Sequence, residues 1–184
     1  MNPACRREAA DAVPKGTRRP RRQRTRARIE TMALDIRTLS SKRLAAVRHV
    51  GPYDQIGSAF RELSKIAAPA GLFGFPGAMM VGVYHDDPRT TPHDQLRSAA
   101  GVAIPDSAPI PAGLAEERIE PGTFAVHTHT GSYEGLPDAW RQATAAVTES
   151  GRKLRHAASY EIYLNDPTQV AVPALKTEIY LPVE

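Results

Sequence analysis

Two twelve-residue stretches set eighty positions apart constrain this chain more than any other feature. His49 to Phe60 reads His-Val-Gly-Pro-Tyr-Asp-Gln-Ile-Gly-Ser-Ala-Phe, and His129 to Trp140 reads His-Thr-Gly-Ser-Tyr-Glu-Gly-Leu-Pro-Asp-Ala-Trp. His, Gly, Tyr, an acid, Ala and an aromatic recur in register, the mark of one supersecondary unit present twice. The match runs outward on both sides. Leu34, Leu39, Leu44 and Ala45 align with Leu114, Ile119, Phe124 and Ala125, and Val81 to Pro88 aligns with Tyr160 to Pro167 after one deletion. The repeats cover 34–104 and 114–183. Halves of this size are marginal as separate folds, so one pseudo-symmetric domain over 32–184 is expected.

Each repeat reads as two strands, a helix and two strands. In the first, strands fall at Leu34 to Leu39 and Arg43 to His49. Gly51-Pro52 then opens a helix that runs to about Ala68, because proline suits a first helical turn. Strands follow at Met79 to Tyr84 and Leu96 to Ile104. The second repeats the order with strands at Leu114 to Ile119 and Thr123 to His129, a helix from about Tyr133 to Ser150, and strands at Ser159 to Leu164 and Thr177 to Val183. The fold class is α+β: an antiparallel sheet with two helices packed on one face and a cleft between the halves.

The high pI of the whole chain suggests nucleic acid until its charge is located. Ten Lys/Arg against three Asp/Glu precede Met32, a surplus of seven, whereas residues 32–184 carry fourteen against seventeen, a deficit of three. Residues 1–31 thus read as a disordered basic tail, able to touch nucleic acid through counterion release; translation starting at Met32 is the alternative. Cys5, the only cysteine, lies in that tail, so the domain has no disulfide or thiolate-metal framework. With no secretory signal and no membrane-length apolar run, the expected location is the cytoplasm.

Strand alternation sorts side chains into faces. Glu161 and Tyr163 share one face of their strand, opposite Tyr160, Ile162 and Leu164. Glu178 and Tyr180 oppose Ile179, Leu181 and Val183. If the aliphatic faces meet the helices, the other face gathers Glu161, Glu178, Tyr163, Tyr180 and, from the first half, Tyr84. The repeat supplies its own control. Glu161 aligns with Gly82 and Glu178 with Ala99, so neither acid is demanded by the fold, and Gly82 leaves room beside Glu161. The expected site is a pocket at the junction, anchored by Glu161, with Tyr84, Tyr163, Tyr180, Tyr133 and Trp140 as walls suited to an aromatic or cationic molecule. The repeat partners of Tyr133 and Trp140, Tyr53 and Phe60, favour packing roles for them. His127 and His129 lie two apart on one strand face, but no third ligand is evident and His49 repeats His129, so no metal is expected. No motif for a cofactor or phosphate is present.

At these residues the sequence resembles the GyrI-like small-molecule-binding family, which includes the DNA gyrase inhibitory protein and effector-binding domains of multidrug-responsive regulators. His-Val-Gly-Pro-Tyr at 49–53, the turn from Gly82 to Pro88, Gly131-Ser-Tyr-Glu, Tyr160 to Pro167, and Leu175 to Pro182 carry the resemblance. It implies a duplicated β-α-β-β core, a cleft between halves, and an acid in that cleft matched by Glu161. It also implies a stand-alone binder for drug or toxin sensing or sequestration. Some members resemble hydrolases of cyclopropane-bearing DNA-alkylating compounds, in which Glu161 and Glu178 would be the catalytic pair. A role in which DNA gyrase is the partner is the second alternative.

Overall fold

The computed structural model describes residues 34–184; the basic tail lies outside the described residues. Its strands are β1 (Asp35–Leu39), β2 (Lys42–Val50), β3 (Met80–Tyr84), β4 (Arg97–Ile104), β5 (Ala115–Ile119), β6 (Gly122–Thr130), β7 (Ser159–Tyr163) and β8 (Lys176–Val183). The helices are α1 (Gly57–Ala67) and α2 (Leu136–Glu149), each entered through a short 3-10 turn that begins at the repeated tyrosine, Tyr53 or Tyr133. Amphipathic spacing explains both. Ala59, Leu63 and Ala67 form the buried stripe of α1, and Leu136, Ala139, Ala143 and Val147 that of α2. Gly71 and Gly151, both left-handed, follow the two helix ends, where a side chain would clash with its own backbone.

All eight strands form one antiparallel sheet in the order β1-β6-β8-β7-β3-β4-β2-β5. The halves meet at β3 and β7, where Gly82 pairs with Glu161. Both helices lie on one face, against Ala45, Ala100 and Val102 in the first half and Ala125, Ile179 and Leu181 in the second.

The first strands of the repeats do not stay with their own halves. β1 pairs with β6 of the second repeat, and β5 pairs with β2 of the first. This exchange has a geometric consequence. β1 and β2 stand near opposite ends of the strand order, yet only Ser40 and Ser41 join them. Three Cα–Cα steps span at most about 11 Å. The two ends of the sheet must therefore approach each other, and the sheet is rolled. The face without helices becomes the inside of the roll, so Leu44, Val81, Val83, Phe124, Tyr160 and Ile162 are buried there with no helix over them. No helix among the described residues is long and apolar enough to cross a membrane.

Candidate functional site

The roll changes which strand faces meet the helices. In β8 the expectation holds, with Ile179, Leu181 and Val183 under α2. In β7 it is reversed: Tyr160 and Ile162 point into the roll, while Glu161 and Tyr163 face the helices. The reason is physical, since a sheet buried on both sides has no single aliphatic face from which to orient a strand. Glu161 and Glu178 consequently stand on opposite faces. Glu178 and Tyr180 lie away from the cleft, where Tyr180 donates to the Glu178 carboxylate and stacks on Tyr160 with centroids 4.4 Å apart. A cation reaches Glu178 from the exchanged strand β1: Arg37 Nη1 is 3.0 Å from Glu178 Oε1.

Glu161 sits in the middle of β7, in the sheet centre and beneath the gap between the helices, and is 2% exposed. Three neutral donors hold it. The hydroxyls of Tyr84 and Tyr163 donate to Oε2 at 3.0 and 2.6 Å, and the Trp140 indole N–H donates to Oε1. Among the described residues no Lys, Arg or His is ion-paired with it. A buried carboxylate without a cation is costly, and hydrogen bonds offset only part of that cost. Burial first, and then the Glu161 charge, push the Tyr84 and Tyr163 phenols well above the ordinary tyrosine range, which keeps both as donors.

Aromatic rings surround this carboxylate in a pattern that obeys the internal symmetry. Tyr84 packs edge-on against Tyr53 of its own half, at 4.9 Å, and Trp140 of the other, at 5.4 Å. Tyr163 packs edge-on against Tyr133 of its own half, at 5.5 Å, and Phe60 of the other, at 5.3 Å. Only the polar groups break the symmetry: Trp140 offers an N–H where Phe60 offers none, and Glu161 stands where the other half has Gly82. The space at Gly82 is taken by the protein itself. A Cβ there would meet the Tyr84 hydroxyl at 3.1 Å and Phe60 Cζ at 3.5 Å, so the glycine lets Tyr84 lie across the sheet to reach Glu161.

The open cleft above these rings has a volume of about 2310 Å³ and lies between α1, α2 and the loops after β3 and β7. Of the residues singled out from sequence, Glu161, Tyr84, Tyr163, Tyr133 and Trp140 line it; Gly82 lies beneath Tyr84, and Glu178 and Tyr180 belong to the other face. Sequence reading missed the direct Trp140–Glu161 bond and the wall formed by Phe60. The alignment of Phe60 with Trp140 was the signal for that wall. His129 contacts the Ser132 carbonyl at 2.9 Å, at the entry to α2, and His49 makes the same contact to Pro52 at 3.3 Å. Burial, and then the nearby His129, hold the His127 imidazole below its usual range. Among the described residues no three His, Cys, Asp or Glu side chains are placed to hold a metal.

Residues 32–184 match the GyrI-like family, described as a small molecule binding domain. A DNA gyrase inhibitor of Yersinia enterocolitica is 28% identical over 141 residues, covering 73% of this chain and 88% of its own. SAV2435, solved bound to tetraphenylphosphonium, superposes with a TM-score of 0.64 at 15% identity, covering 83% of this chain and 94% of its own. A hydrolase encoded by lin2189 of Listeria innocua superposes with a TM-score of 0.58 at 14% identity, covering 82% and 91%. At those identities the two structures establish a shared fold.

Proposed function

The chain belongs to the GyrI-like small-molecule-binding family, and from that premise we propose that it binds aromatic cations in the cleft between the helices, with Glu161 as the charge anchor. One observation carries this reading: a carboxylate 2% exposed, bonded to three neutral donors, under aromatic rings and without a cation of its own. A ligand cation supplies the missing charge. Two unit charges 4 Å apart attract by about 4 kcal/mol at an effective dielectric of 20, and aromatic faces add cation–π attraction. The tetraphenylphosphonium held by SAV2435, a protein of the same fold, is a cation of this kind.

Trp140 is the only tryptophan in the chain, so its emission reports on this site alone. Titrating tetraphenylphosphonium should change that emission saturably, and Glu161→Gln should weaken binding at least tenfold. Equal affinity in the two proteins would remove Glu161 as the anchor.

The lin2189 hydrolase shares this fold and motivates hydrolysis as a second reading, for which the family resemblance supplies a strained cyclopropane as the substrate. With Glu178 on the other face, that reading has one glutamate left. The water oxygen would bond to a cyclopropane carbon as the strained C–C bond breaks, and Glu161 would take the water proton. Tyr84 or Tyr163 would donate to the oxygen that receives the electron pair and leaves as a phenol of the ring-opened product. Ring-opened product formed by the wild type and absent with Glu161→Gln would favour it over simple binding. Gyrase inhibition, the activity named for the Yersinia relative, is tested by a supercoiling assay. Inhibition that survives Glu161→Gln would place that activity outside the cleft.

A further inference from the structure

Tyr53 and Tyr133 occupy equivalent places in the two repeats, and their hydroxyls behave differently. Tyr53 pins the loop after β3: its hydroxyl donates to the Asp86 carbonyl at 2.9 Å and accepts from the Asp86 N–H at 3.0 Å. The equivalent loop after β7 is built the same way at its base. Asn165 Oδ1 accepts the Lys176 N–H at 3.0 Å, as Asp86 Oδ2 accepts the Arg97 N–H at 2.7 Å. The side chain of Asn165 also donates to the Ala174 carbonyl, so this loop is closed without help from a tyrosine.

Tyr133 has no such task. Among the described residues its hydroxyl makes no hydrogen bond, and the residue is 36% exposed while lining the cleft. Its ring stays fixed edge-on against Tyr163, the phenol bonded to Glu161. The free hydroxyl thus stands in the half that carries the charge, on a ring held in place by that same network. Burial, with the charges of Asp166 and Glu161, keeps it protonated above the ordinary tyrosine range.

We infer that the Tyr133 hydroxyl is a specificity-determining contact of the cleft, donating a hydrogen bond to an acceptor atom of the ligand outside its cationic centre. The favoured ligand class narrows to aromatic cations that also carry an ether or carbonyl oxygen. This rests on the cleft binding cations, and a matched pair of probes keeps the two ideas apart.

(4-Methoxyphenyl)triphenylphosphonium and (4-ethylphenyl)triphenylphosphonium share charge and size and differ in one acceptor oxygen. The wild-type chain should prefer the methoxy compound by about three- to tenfold, the worth of one hydrogen bond between neutral groups. Tyr133→Phe should abolish that preference, so that the two compounds bind the variant with equal affinity. Tyr53→Phe should retain the preference and lower the melting temperature, because its hydroxyl is committed to the fold. Equal wild-type affinity for the two compounds, or a preference that survives Tyr133→Phe, overturns the inference and leaves cation binding standing. Binding of neither compound overturns both.

Discussion

Replacing Trp140 with Phe makes the second half copy the first, where Phe60 holds the equivalent place, and it removes one N–H from the Glu161 carboxylate. A hydrogen bond to a buried charged group contributes about 1.5–3 kcal/mol. The indole is half-buried, so its lost area adds a smaller amount, and Phe fits the site as it does in the other half. The cost should be about 2–3 kcal/mol, since Glu161 keeps its two tyrosine donors. For a domain of this size 1 kcal/mol moves the melting temperature by about 2–4 °C, so a drop of roughly 4–12 °C is expected. Urea and thermal melts followed by circular dichroism measure it, since the variant has no tryptophan emission. A second prediction is internal to the same experiment. In a Glu161→Gln background the bond is between neutral groups, worth about 0.5–1.5 kcal/mol, so Trp140→Phe should cost about 1 kcal/mol less there. A single-variant cost under about 0.5 kcal/mol, or no coupling between the two positions, would refute a bond between the indole and a charged carboxylate.

Glu178→Gln should leave tetraphenylphosphonium affinity unchanged, because this acid lies inside the roll; a tenfold loss in the fluorescence titration would return it to the cleft. Arg37→Met should cost about 1–3 kcal/mol, less than the 3–5 typical of a stripped buried pair because Arg37 is partly exposed. All six tyrosines have phenol pKa values raised above the ordinary range, with burial the largest cause in each. The folded chain therefore keeps protons that the unfolded chain releases above about pH 10, so stability is intact below that pH and declines as pH climbs beyond it. Absorbance titration should show less phenolate at pH 10 in the folded than in the unfolded chain, and the urea midpoint should fall between pH 9 and 11; a normal tyrosine titration of the folded chain would contradict the burial of these rings.

The repeat made most of the fold legible. Helix positions, strand positions and the meeting of halves at Gly82 and Glu161 all follow from aligning His49 with His129 and reading hydrophobic spacing on either side. The partner of the first strand in each half was not legible, because the alternation of β1 and β5 fits either β2 or β6 equally well. That single ambiguity carried forward. Alternation and the alignment with Ala99 single out Glu178 without showing what stands beside it; with β1 next to β6, Arg37 arrives there. The face error in β7 has the same origin, since only the exchange rolls the sheet and buries Tyr160 and Ile162 on the side away from the helices.

The selection of Glu161 did not depend on which face it occupies. It rested on the comparison with Gly82, and a duplicated chain distinguishes residues that the fold needs twice from residues present once. The same comparison, carried from residue identity to hydrogen bonding, separates Tyr53 from Tyr133, which sequence alone reads as equivalent. Identity finds asymmetries of charge, such as Glu161 against Gly82 or Trp140 against Phe60. Asymmetries between identical residues exist only in their partners, and the partners of Tyr53 and Tyr133 differ because Asn165 closes one loop with its amide while the loop carrying Asp86 also takes the Tyr53 hydroxyl. A functional group freed in this way leaves no trace in the sequence of the residue that carries it.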